Sequence, residues 1–168
     1  MAVSMHEISV GAFARMLPNL NVFLDEASSY AAERKFDPQV LASARIAPDM
    51  FPLSRQVQIA CDFAKGCTAR LAGMEVPKRD DTESTLEQLK ARIDWTLQFI
   101  RSVPREKFEG SEQREIVHEL RTQTIKMPGL PYLEHFALPN FYFHATATYL
   151  ILRHNGVPLG KRHFLGSI

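Results

Sequence analysis

The sequence predicts a mainly all-α fold: an antiparallel four-helix bundle with a small β-hairpin between its third and fourth helices. Three observations lead there. Four long stretches repeat apolar residues at three- and four-residue spacing, the signature of helices with one buried face. Gly73, Pro104 and Gly156 mark where three of those stretches stop. One short segment before the last stretch switches to alternation, the period of a strand.

The first helix is expected over Ser4 to Arg34, with Phe13, Met16, Leu17, Leu20, Phe23, Leu24 and Ala27 on its apolar face. Pro18 lies inside that pattern and is expected to kink or open the helix. Asp37-Pro38 reads as the start of a short helix, with Asp37 as N-cap and proline at the first helical position. The segment Arg45 to Leu53 contains Pro48 and Pro52 and reads as an apolar linker. It leads into helix two, Pro52 to Ala72, which stops at Gly73.

A charged connection, VPKRDDTES, follows. Its run Lys78 to Asp81 reads as a solvated loop. Ser84 with Glu87 three residues later has the form of a capping box for helix three. Leu86, Leu89, Ile93, Leu97 and Ile100 carry that helix to Val103, and Pro104 ends it. Trp95 falls beside the stripe, at a boundary or an oligomer contact. Glu115 to Leu120 and Thr122 to Met127 read as two paired strands, and Pro128-Gly129 as the turn that closes them. The final helix is expected from Pro131 to Gly156, with the tail after it packed on the bundle.

The 168 residues suffice for a single domain over 1–168 with a substantial core. Apolar residues make up 45 % and charged residues 23 %, with a net charge of +1, so no electrostatic case arises for nucleic acid or an anionic membrane. No apolar run is long enough to span a bilayer, and MAVSMHEISV lacks the layout of a secretory signal. Cys61 and Cys67 lie on one helix, about 9 Å apart by helical rise, too far for a disulfide between them. Reduced thiols in a cytoplasmic protein are expected.

Phosphate-binding glycine loops, HExxH, CxxC and the nucleophile elbow are all missing from the sequence. The chemistry-bearing residues gather elsewhere. His144 lies in the middle of the last apolar stretch, and Asn140 one turn earlier shares its helical face. Its ordinary role is a core histidine satisfied by a hydrogen bond. His135 lies about 180° around a straight helix from His144, so the two meet at one metal only if the break near Pro139 rotates the earlier segment. Asp49, at the mouth of helix two, reads as a turn carboxylate or as a ligand or general base beside His144. Gln56 and Gln58 are about 200° apart on their helix, so one of them is expected to turn inward or to the helix boundary.

The blocks ARIAPDMFPLSRQVQIACDFAKG and PYLEHFALPNFYFHATATYLILRHNGVPLGK resemble the DUF1993 family of bacterial proteins, within the DinB/YfiT-like superfamily of metalloenzymes. The resemblance implies a four-helix bundle that is often dimeric. Metal-binding DinB-like proteins carry a histidine on helix two and an H-x-x-x-H pair followed by R-G-Q on the last helix. Here His144 is similar to the last of these ligands, and the histidine before it falls on Asn140. The R-G-Q positions are Ala145, Thr146 and Ala147, and the helix-two ligand falls on Gln58, or on Gln56 in a shifted register. Carboxamide oxygens are weak ligands for zinc or nickel. Either the metal is lost, or His144, Asp49 and His135 together hold a divalent ion such as Zn, Ni or Mn.

Three functions compete. The first is a small-molecule-binding bundle with a pocket lined by Asp49, Gln56 or Gln58, Asn140, Tyr142 and His144. The second is a divergent metal-dependent hydrolase or thiol-linked transferase. The third is a non-catalytic structural homodimer, its aromatic surface serving self-association.

Overall fold

The computed structural model describes residues 4–120 and 122–167. Four long helices dominate: α1 (Ala12–Arg34), α3 (Leu53–Leu71), α4 (Leu86–Ser102) and α6 (Leu138–His154). Helices α1 and α3 each pack against both α4 and α6, and α1 meets α3 only briefly, so the four close into a ring around one core. Phe13, Leu17, Leu20, Phe23 and Leu24 of α1 point inward with Val57, Ala60, Ala64 and Cys67 of α3. Phe13 meets Phe141 of α6 edge to face at 4.8 Å between ring centroids. Among the described residues, no helix is long and apolar enough to cross a membrane.

Helix α1 runs unbroken through Pro18, where a break was expected. The wider π turns lie before it, at Glu7–Gly11. The short helix α2 (Gln39–Ala42) follows, and the Asp37 Oδ1 accepts a hydrogen bond from the Gln39 backbone N–H at 2.9 Å, the capping role its position predicts. At α4 the capping box forms one residue later than expected. Thr85 is the N-cap, its hydroxyl accepting from the Gln88 N–H at 3.1 Å, while the Gln88 carboxamide oxygen takes the Thr85 N–H at 3.1 Å.

The hairpin forms as predicted, from β1 (Glu115–Glu119) antiparallel to β2 (Thr124–Pro128), with Ile116 opposite Met127. Pro128 and Gly129 make no separate turn: Pro128 ends β2, and Gly129 begins α5 (Gly129–Tyr132). Helix α5, a π segment at Leu133–Ala137 and α6 run on without a gap. Pro139, which offers no N–H to the ladder, is the second residue of α6, just after the π segment, and the wider turn accommodates it without a break. The tail packs as expected through α7 (Lys161–Leu165). Asn19 donates to the Phe164 carbonyl at 2.8 Å, and Phe164 stacks on Phe23.

Candidate functional site

His144 and Gln56 meet in the seam between α6 and α3. The Nδ1 of His144 lies 2.7 Å from the Oε1 of Gln56, and both residues are buried. The other half of the carboxamide fixes the proton. Gln56 Nε2 donates to the Phe51 carbonyl at 3.1 Å, and a carbonyl only accepts. The Gln56 oxygen therefore faces the histidine, so His144 carries its proton on Nδ1 and keeps a lone pair on Nε2. Burial, with help from the Arg55 charge, lowers the His144 pKa to about 4, so the ring is neutral near pH 7. Phe63 stacks on it at 6.1 Å with an interplanar angle of 17°.

Phe63 also walls a cleft of about 560 Å³ between α3, the loop at residues 76–80 and the hairpin. Arg55, Ile59, Arg70, Val76, His118 and Leu120 are among the side chains that line it. Phe136, carried by the π segment, meets both Phe63 at 5.6 Å and His118 at 5.5 Å. The wider turn thus sets the aromatic wall that ties the cleft to α6.

The loop beside the cleft is solvated at Lys78, Asp80 and Asp81, as expected, and it is also held by ion pairs. Arg92 of α4 is buried, and its guanidinium meets Asp62 at 2.8 Å, Asp81 at 2.9 Å and Glu83 at 2.9 Å. Arg55 pairs with Asp81, Arg79 with Glu83 at 3.3 Å, and Lys65 with Asp62 at 2.9 Å. Burial alone would raise Glu83, but a backbone hydrogen bond and the Arg92 charge hold its carboxyl below the usual range. Arg79 also lies 4.9 Å over the ring of the half-buried Trp95. A cation one turn from Leu89 on an apolar stripe needs acidic partners, and the carboxylates at 80–83 supply them. That signal was present in the sequence and went unused.

The expected pocket residues do not gather in one place. Gln56 alone joins His144. Gln58 is buried too, but on the other side of α3, where its Nε2 donates to a Glu83 carboxylate oxygen at 3.2 Å. Both glutamines turn inward because α3 is covered twice, by α6 and by the ion-paired loop. Asn140 gives its Nδ2 to the Phe136 carbonyl of its own helix at 2.8 Å. Tyr142 lies on the outer face of α6, in a separate apolar groove with Ile46, Met50, Phe143 and Leu150. Asp49 is exposed on the linker, and His135 is exposed on the π segment. The π turns do not swing His135 to His144, so the trio His144, Asp49 and His135 is not assembled.

Residues 5–165 match the family model described as "Domain of unknown function (DUF1993)". The chain belongs to the DUF1993 family. A solved structure of a DinB family member protein from Shewanella denitrificans is similar to it, with a TM-score of 0.92 and 40 % identity over 98 % of this chain and 93 % of that one. Comparison with curated proteins finds no match.

The superfamily's metal pattern can then be tested against this DUF1993 chain. Gln56, rather than Gln58, faces His144. The set there is two carboxamides and one imidazole. No group of three histidine, cysteine or acidic side chains suited to a metal occurs among the described residues. The Gln56 oxygen already accepts the His144 proton, and Asn140 is turned to its own backbone. These residues do not fit a resident zinc or nickel ion. The thiols offer no substitute: burial pushes Cys61 up to about 12 and Cys67 higher still.

Proposed function

We propose that this DUF1993 protein is a small-molecule-binding bundle whose ancestral metal position has become a structural hydrogen bond. The observation that carries the reading is the cleft of about 560 Å³ walled by Phe63, behind which His144 is stacked. Its size and mixed apolar and polar lining suit a metabolite-sized ligand. The Gln56 carboxamide answers His144 as a neutral polar partner answers a core histidine, which favours packing over metal ligation. The rival metal-dependent hydrolase or transferase needs donor atoms that these side chains have committed elsewhere.

Metal analysis of protein purified without a histidine tag tests the choice. The expected result is substoichiometric zinc, nickel and manganese, unchanged by His144→Ala. Stoichiometric metal that disappears in His144→Ala would restore the enzyme reading.

A second reading concerns self-association. Phe143 is 60 % exposed and Leu150 45 % exposed on the outer face of α6, beside Tyr142 and Ile46. The groove they line is uncharged and apolar, and two copies related by a two-fold axis can lay such a face against itself. We therefore propose a homodimer through α6. Light scattering should give twice the chain mass for the wild type and a monomer for Leu150→Glu, while a monomeric wild type rejects it.

A further inference from the structure

The cleft beside Phe63 carries more information than its volume. Five cationic side chains line it (Arg55, Lys65, Arg70, Lys78 and Arg79) against two carboxylates, Asp62 and Asp80. Three of the cations are already spoken for, Arg55 by Asp81, Lys65 by Asp62 and Arg79 by Glu83. Arg70 and Lys78 form no ion pair with a described residue. Asp80 is exposed and likewise unpaired, so it offsets one of the two charges at the rim. Arg70, half-buried on α3, lines the cleft beside Tyr132.

His118 sits on that wall. Its Nδ1 lies 3.3 Å from the hydroxyl of Tyr132, which is fully buried. Burial pushes the tyrosine hydroxyl well above its usual range, so it remains a donor, and burial with the Arg70 charge lowers His118 to about 4. The neutral imidazole shares one hydrogen bond with the tyrosine hydroxyl through Nδ1. The cleft thus offers a guanidinium and an ammonium as donors, with a neutral imidazole on its wall. Ile59, Phe63, Val76 and Leu120 supply an apolar surface beside them.

We propose that the cleft binds a small organic anion, a carboxylate or phosphate ester on a flat or branched apolar body, with Arg70 and Lys78 facing its charge and Phe63 its body. A carboxylate or phosphate takes two parallel hydrogen bonds from the Arg70 guanidinium. Lys78 is exposed and acts as a point charge at the entrance. This proposal rests on the small-molecule reading above and adds the sign of the ligand's charge.

The probes are 8-anilino-1-naphthalenesulfonate, an apolar sulfonate anion, and its uncharged relative N-phenyl-1-naphthylamine, followed by fluorescence titration of the whole chain. The anion should bind more tightly than the amine. Arg70→Gln should weaken the anion about tenfold and Lys78→Gln about threefold, with the amine unchanged. Because Arg70 is half-buried, Lys78→Gln is the variant whose fold is safe. Leu150→Ser, on the separate α6 groove, should leave the anion's affinity unaltered. Phenylacetate should displace the bound anion.

Equal affinity for both probes, or wild-type anion affinity in both cation variants, would overturn the charge assignment while the small-molecule reading stands. Failure of both probes to bind would remove both. Co-sedimentation with phosphatidylglycerol vesicles separates a soluble ligand from a lipid headgroup. None is expected, and sedimentation lost in Lys78→Gln would overturn the soluble assignment.

Discussion

Gln56 holds His144 by its protonated nitrogen, with Nδ1 and Oε1 2.7 Å apart in the seam between α3 and α6. The arrangement gives a buried imidazole a neutral hydrogen-bond partner. A carboxamide oxygen asks for a neutral N–H and gives no charge to stabilise an imidazolium. Burial is the main cause of the low pKa of His144, and the Arg55 charge adds to it.

Exchanging Gln56 tests this directly. Gln56→Leu strands the Nδ1–H in the seam and should cost about 1–3 kcal/mol in urea unfolding, the penalty of an unpaired buried donor. Gln56→Glu replaces a neutral acceptor with a charge and should raise the His144 pKa by about 1–3 units. Imidazole proton resonances followed against pH check both. An unmoved His144 titration in Gln56→Glu would show that Oε1 is not its partner.

The same histidine predicts a pH dependence. His144 titrates near 6.5 when unfolded and at about 4 when folded, so the unfolded chain binds more protons between those values. Stability is therefore fully present above about 6.5 and falls as pH drops toward about 4. The loss from this one group is on the order of 3 kcal/mol, from about 1.36 kcal/mol per unit. His118, lowered in the same direction, adds to it. Glu83 is held low, so its contribution is lost only below the ordinary carboxylate value of 4.5. Urea midpoints of wild type and His144→Gln between pH 4.5 and 7 should converge as the pH falls. Parallel curves would mean that His144 is not the group responsible.

The helices and hairpin were legible because their apolar spacing is local and strong. The stripe of α4 and the alternation of β2 needed no knowledge of neighbours. The site was less legible, for physical reasons. Helical phase separates Gln56 from Gln58, but it does not reveal that α3 is covered on two sides, so that both point inward. Tyr142 looks like a pocket aromatic in sequence, whereas the turn of α6 sends it to the outer groove. Arg92 could have been found, since a cation on a buried stripe requires carboxylates. Its actual partners, Asp62, Asp81 and Glu83, come from two separate segments, and only the fold brings them together.

That network makes Arg92 the most consequential charge in the chain. Arg92→Met leaves three carboxylates around an apolar side chain. Removing one partner of a buried pair costs about 3–5 kcal/mol, and here the lower end applies because Asp62 and Asp81 remain 36 % and 34 % exposed. The loop at residues 74–85 should also come free of the bundle. Limited proteolysis should cut the variant within that loop while the wild type resists. A variant as resistant as wild type would show that the Arg79–Trp95 contact and the remaining pairs hold the loop unaided.

The junction between hairpin and bundle depends on Gly129 for space alone. A Cβ there would meet the Ser111 carbonyl oxygen at 1.9 Å and a Leu71 methyl at 3.0 Å. Backbone oxygen cannot swing aside as a side chain can, and the neighbouring Leu130 N–H is tied to the Glu112 carbonyl at 3.0 Å. Gly129→Ala should therefore cost about 3 kcal/mol, at the top of the range for overpacking. Gly110 makes the contrast, with a φ of +68° and open space around its Cβ position. Gly110→Ala bears only the left-handed backbone penalty, about 1–2 kcal/mol. Urea midpoints for the pair should rank Gly129→Ala as the more damaging. The opposite order would mean that the hairpin shifts off α3 at little cost, and the wall that holds His118 beside the cleft would then be movable.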